Sequence, residues 1–218
     1  AQRIEHPTQA SDLVALAFRE MASGRPGPVA LEIAPDQLTA VAEVTIQDPL
    51  PPPAAVVPDP AGIAAIAELL NKAQAPMLMV GGGALNAAKE IRALAEKLGA
   101  PVLANRAGRG VMDDRHPLSV NVASAWPLWE GTDAIVGFGT RMDVQRYGGF
   151  APGQASARID IDPAEMRRLR VDVGVVADSA AAAAALLPLV HERADGGRTG
   201  AAATAKAGQR EDVQAIQP

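Results

Sequence analysis

Three consecutive glycines, Gly81-Gly82-Gly83, follow the apolar run Met77–Val80 and precede a segment with helical spacing. Glycines at a strand-to-helix turn let a phosphate approach the backbone, and a helix N-terminus offers free N–H groups and positive potential. The run does not spell G-x-G-x-x-G, because the third residue after Gly83 is Asn86. A tight turn packing helix on strand would use the same glycines. Further on, Gly137-Phe138-Gly139-Thr140-Arg141 closes a second apolar run. Arg141 there stands where open α/β sheets bind ligands and can clamp a phosphate bidentately; a surface or interface arginine reads the same way. In Asp160-Ile161-Asp162-Pro163, a carboxylate at the strand end can accept from ribose hydroxyls, and Asp162 can equally cap the turn that starts at Pro163. On an extended strand Asp160 and Asp162 would point the same way. Asn105-Arg106-Ala107-Gly108-Arg109-Gly110 is a guanidinium-rich loop facing either an anion or a neighbouring subunit.

Other chemistries find no residues. The chain has no cysteine, which excludes disulfides, thiolate catalysis and Cys-based zinc sites. His6, His116 and His191 match no metal-ligand spacing, and no G-x-S-x-G elbow, Walker loop or EF-hand loop occurs. A formal net charge of −5, with Lys and Arg scattered, argues against nucleic acid as a partner. No apolar run approaches the roughly 18 residues that span a bilayer. A soluble, cytoplasmic α/β protein is the expectation.

The elements that must position these residues alternate strand with helix. A first helix through Leu13, Leu16, Ala17 and Glu20 to Met21, capped by Ser11 or Asp12 and stopped at Gly24, leads to a short strand at Val29–Ile33. One helix and one strand cannot bury a core alone, so this segment is expected to dock, swap or move. Seven prolines between Ala34 and Pro60 then mark an extended spacer. Beyond it, strands are expected at Met77–Val80, Pro101–Ala104, Asp133–Phe138, Ala157–Ile161 and Asp172–Val176. Helices are expected around Ile63–Leu70 and Leu85–Leu98, with a last one from Ser179 to about Leu189. Short apolar strands between helices imply a doubly wound parallel sheet covered on both faces. Aromatic content is only 3%, so Ala, Val, Leu and Ile must fill the layers, with Met77, Met79 and Trp126 read as packing residues. The domain limits expected are 1–40 for the N-terminal helix–strand piece, 41–57 for the linker, 58–190 for the α/β domain and 191–218 for a linker or disordered tail.

Taken in order, these segments resemble one family. Gly24-Arg25-Pro26-Gly27-Pro28-Val29 through Glu32-Ile33-Ala34 looks like the close of the pyrimidine-binding domain of thiamine-diphosphate-dependent enzymes. Pro76–Gly83, Gly99–Val102, Gly108–Val111 with His116-Pro117, Gly137–Arg141 and Ile159–Glu165 resemble their central domain, over roughly residues 10–190. The family includes acetolactate synthases, benzoylformate decarboxylases and oxalyl-CoA decarboxylases. The resemblance implies a parent that decarboxylates or joins 2-oxo acids with thiamine diphosphate and Mg²⁺, partnered by other domains of the same polypeptide and forming a homo-oligomer. It implies a Gly-Asp-Gly motif and an activating glutamate that this chain does not contain, hence a fragment with no catalytic residue and no metal site of its own. In such central domains FAD or ADP is held by positions that correspond to Gly81, Gly82, Gly83, Arg141, Asp160 and Ile161, with Asp178 a weaker candidate. The Gly-Met-His-Gly loop of flavin-binding relatives is replaced here by Ser119–Trp126, so an empty central domain ranks ahead of FAD or ADP. A free-standing adenine-nucleotide module and a purely structural or dimer-forming domain are the rival readings.

Overall fold

The computed structural model describes residues 1–51, 53–193 and 197–216. The chain divides into two compact units, Ala1–Ala55 and Val56–Pro218.

In the first unit, strand β1 (Gln2–Ile4) and helix α1 (Ala10–Met21) lead to strand β2 (Leu31–Ile33). β1 pairs parallel with β2, Gln2 opposite Leu31 and Ile4 opposite Ile33. The sequence reading had one helix and one strand here; a three-residue strand is too short to show a period of two, so only the pairing reveals it. Gln9 rather than Ser11 or Asp12 occupies the N-cap. Ser11 Oγ instead accepts the Gln47 N–H at 2.6 Å, which ties the proline-rich stretch back onto α1.

The second unit holds the sheet. Helix α2 (Pro60–Lys72) starts with Asp59 accepting the Gly62 N–H at 2.9 Å and proline in the first turn, where no N–H is missed. Strand β3 (Pro76–Val80), a 3₁₀ stretch over Gly82–Ala87, helix α3 (Ala88–Leu98) and strand β4 (Val102–Ala104) follow. Then come β5 (Ser119–Val120), α4 (Val122–Trp129), β6 (Ala134–Phe138), β7 (Ala155–Asp160), β8 (Val173–Val176), α5 (Ser179–Leu186) and α6 (Thr199–Ile216). All six strands run parallel in the order β5-β4-β3-β6-β7-β8. This is the doubly wound fold expected from the alternating apolar runs. Every residue of β3, β4 and β6 is buried, as strands covered on both faces require.

Two apolar layers sandwich the sheet. Ile63, Ile66 and Leu70 of α2, Ile91 and Leu94 of α3 and Leu186 of α5 pack against Leu78, Val80, Val136 and Phe138. On the other face Leu128 and Trp129 of α4 and Ala202 of α6 pack against Met77, Met79, Leu103 and Ile135. Met77 and Met79 are core residues as expected, whereas Trp126 is 59% exposed and Trp129 is the buried tryptophan. Tyr147 stacks on Trp129 at 4.2 Å and donates its hydroxyl to Val122 O; burial pushes its pKa up to about 12.

Over Thr199–Ile216, helix α6 corrects the reading of 191–218 as linker or disorder; residues 194–196, 217 and 218 lie outside the described residues. Among the described side chains of α6 the inward face carries Ala202 and Ala205, too small to register as an apolar stripe, yet alanines let a helix approach its neighbour closely. Arg198 anchors its start, donating to Thr132 Oγ1 at 2.6 Å and to Leu128 O at the end of α4 at 2.9 Å. Lys206 donates to Asp114 O and His116 O. Arg198→Ala removes these two bonds and a longer third one to Ala75 O, worth about 2 kcal/mol together for a half-buried group. Amide exchange within α6 should then accelerate roughly thirtyfold; unchanged exchange would show that alanine packing alone holds the helix.

Candidate functional site

The chain visits β3, β4 and β5 on one side, then returns to place β6 beside β3 and continues to β7 and β8. The order therefore reverses between β3 and β6, and ligands of such sheets bind beyond the strand ends at that reversal. Register sets Val80 opposite Phe138, and Phe138 opposite Ile159. Gly81, Gly139 and Asp160, each one residue further on, consequently emerge side by side. Three of the candidate segments are thus brought to one edge of the sheet.

The glycine run meets the second candidate segment backbone to backbone. Gly81 N–H donates to Phe138 O and Gly83 N–H to Gly139 O, both at 3.1 Å. A Cβ on Gly81 would run into Gly139 O and lie 2.7 Å from Thr140 Cα, and one on Gly83 would lie 2.9 Å from Gly139 Cα. Gly82 is different: a Cβ there would meet Ala107 at ordinary distances, its Cβ at 3.5 Å and its O at 3.7 Å. On the far side the turn after β4 presses in as well, because a Cβ on Gly108 would lie 2.7 Å from Val80 C. Arg106 and Arg109 of that turn are exposed.

Arg141 stands on the rim, its side chain 58% exposed and its Nε 4.0 Å from a Glu165 carboxylate oxygen. The next residue, Met142, holds φ +50°, the one positive φ at a non-glycine among the described residues. Its side chain is fully buried, and its sulfur would lie 2.6 Å from a Cβ on Gly137. Turning Met142 inward in this left-handed conformation leaves Arg141 facing solvent, at a cost of about 1–2 kcal/mol.

Asp160 is only 8% exposed. One carboxylate oxygen accepts the Asp162 N–H at 3.1 Å and the other lies 3.4 Å from Arg158 Nη2. Ile161 follows directly at the strand end, half-buried. Asp162 does not share the strand face with Asp160 but caps the turn, accepting the Ala164 N–H at 2.8 Å. Asp178 is likewise a cap, accepting the Ala180 and Ala181 N–H groups at the start of α5.

Sequence reasoning passed over the two groups that dominate this edge. Arg158 is fully buried in β7 and donates to Glu165 O at 2.7 Å and to Glu165 Oε2 at 2.9 Å. Glu165, 6% exposed, also receives Arg168 Nε at 3.2 Å. A signal for part of this existed: opposite charges two residues apart in an apolar strand share a face. The role of Glu165 had none, because the turn that returns it to Arg158 is a tertiary fact.

His116 sits in a loop, as expected, with Nδ1 accepting the Leu118 N–H and Nε2 3.1 Å from Glu96. Among the described residues no group of three or more His, Cys, Asp or Glu side chains is placed to hold a metal ion. Nor is any helix among them long and apolar enough to cross a membrane.

Comparison with known proteins decides the family. Residues 63–186, more than half of the chain, match the family model described as thiamine pyrophosphate enzyme, central domain. The chain belongs to the thiamine pyrophosphate enzymes. It is 33% identical over 202 residues to the acetolactate synthase isozyme 1 large subunit of Escherichia coli (strain K12), a match covering 86% of this chain and 35% of that protein. It is 36% identical over 164 residues to a probable 2-ketoarginine decarboxylase of Pseudomonas aeruginosa, covering 72% of this chain and 29% of the relative. The chain thus spans about a third of the length of these curated relatives. The crystal structure of benzoylformate decarboxylase from Polynucleobacter necessarius shares the fold, with a TM-score of 0.73 at 24% identity over 88% of this chain and 38% of that one. The six-stranded sheet is therefore the central domain of a thiamine pyrophosphate enzyme, and the edge formed by Gly81–Gly83, Arg141 and Asp160 is the carboxyl edge of that domain.

Proposed function

We propose that the chain supplies the central, structural domain of a thiamine-diphosphate-dependent enzyme that decarboxylates 2-oxo acids or joins them to a second carbonyl compound. The match of residues 63–186 to the central-domain model carries this reading. The names of the relatives, a synthase of acetolactate and a decarboxylase of 2-ketoarginine, point to the same substrate class. The cofactor would supply stabilisation of negative charge on the carbon that loses CO₂. In this proposal its diphosphate and Mg²⁺ are held by other domains of the same polypeptide, and no residue of this chain is assigned a catalytic role. The chain contributes a rigid layer, its sheet covered by α2, α3 and α5 on one face and by α4 and α6 on the other, against which those domains are held. Assembly of the parent as a homo-oligomer belongs to the same proposal.

The test uses the full polypeptide loaded with thiamine diphosphate and Mg²⁺. CO₂ release from a panel of 2-oxo acids, pyruvate and benzoylformate among them, is the expected result, and it should cease when the thiamine cofactor is withheld. A protein that binds thiamine diphosphate yet turns over none of the panel would overturn the substrate class.

A further inference from the structure

A nucleotide at the carboxyl edge of a doubly wound sheet needs free N–H groups at the first strand-to-helix turn, a helix N-terminus behind them, and a strand-end carboxylate open to the ribose diol. This chain has residues of the right types, and the N–H groups of Gly81 and Gly83 and the carboxylate of Asp160 are already committed. Gly81 and Gly83 give their N–H groups to Phe138 O and Gly139 O. Backbone contact closes the gap between Gly81, Gly83 and Gly139, since even a methyl group at Gly81 or Gly83 would collide there, and within Gly81–Gly83 only Gly82 has room for one. Behind the glycines lies 3₁₀ backbone over Gly82–Ala87, and α3 begins only at Ala88, so the positive end of its dipole is displaced from the turn. The Asp160 carboxylate, 8% exposed, already has the Asp162 N–H on one oxygen and the Arg158 guanidinium beside the other.

We infer that Arg158, held by Glu165, takes the place that a ribose would occupy at Asp160, and that the domain is built to work without FAD or ADP. Of the residues that the family resemblance would assign to a nucleotide, Gly81, Gly83 and Asp160 do not fit one here. Arg158 serves as a structural counter-ion, and through Glu165 it ties β7 to the 3₁₀ turn Glu165–Arg167. A loop that a ligand would otherwise have to order is thereby fixed by the chain itself.

Titration calorimetry and thermal unfolding of the full polypeptide with 1 mM FAD, and separately with 1 mM ADP, test this at about a thousandfold above a micromolar Kd. The expected result is no binding heat and no change in unfolding temperature with either compound. Saturable binding of either one below about 100 µM, weakened at least tenfold by Asp160→Asn, would overturn the inference. Neither readout involves thiamine or turnover, so this inference and the proposed reaction can fail independently.

Discussion

Replacing Arg158 with methionine is expected to destabilise the central domain by about 3–5 kcal/mol, the largest effect of any single substitution at this edge. The guanidinium is fully buried, bonded to both the carbonyl and the carboxylate of Glu165, with the Asp160 carboxylate 3.4 Å away. Removing it leaves two carboxylates with 8% exposure or less and no guanidinium between them. Arg168 and Arg141 can compensate Glu165 only from the surface side, where their own side chains are about half exposed. Urea denaturation measures the loss as a lower midpoint at unchanged slope. The double variant Arg158→Met with Glu165→Leu should recover part of it, because exchanging a buried ion pair for apolar groups is often close to neutral while breaking one is not. A shift within about 0.5 kcal/mol for the single variant, the range of an ordinary surface change, would mean that water reaches the cluster.

Gly81→Ala is expected to cost about 3 kcal/mol, the upper end of what overpacking does in a close-packed interior. Its Cβ would have to displace Gly139 O and the Thr140 backbone, and these cannot rotate aside as a flexible side chain could. Gly82→Ala provides the internal control, because its Cβ finds ordinary contact at 3.5 Å with Ala107. There the change should stay within about 0.5 kcal/mol, and reduced freedom of the unfolded chain favours stabilisation. The pair separates two reasons for a glycine run. If the glycines serve close backbone packing, Gly81→Ala lowers stability of the ligand-free protein and Gly82→Ala does not. Were they there only to admit a phosphate, both variants would unfold like the parent.

How far these features could be read from sequence depends on the range of the interaction. The apolar runs Met77–Val80 and Ala134–Phe138 declare fully buried parallel strands, because burial on both faces is written into consecutive residues. Capping is similarly local: Asp162 was readable as a cap or as a ligand, Asp178 only as a weaker ligand candidate, and the turn geometry makes both of them caps. Helix α6 escaped because its contact with α4 is made by alanines and its anchorage by Arg198 and Lys206, whose acceptors lie some 66 to 92 residues away in sequence. Strand β1 escaped because three residues carry no period, and β1 exists as a strand only through its pairing with β2.

By itself, then, the sequence determined the class of fold, five of the six strands that build the sheet, the ordered motifs of a thiamine pyrophosphate enzyme's central domain and the segments that meet at its carboxyl edge. Only the tertiary structure decided what those segments do on meeting. A glycine that admits a phosphate and a glycine that admits another backbone are the same residue in the same turn, and Gly81 is told apart only by Gly139 arriving across the sheet. A carboxylate that awaits a ribose and one that neutralises a buried guanidinium are equally alike, until the turn at Glu165 shows where the charge of Arg158 is held. Local spacing encodes the donors and acceptors a segment carries, whereas the partner each one receives depends on which distant strands the packed sheet makes neighbours.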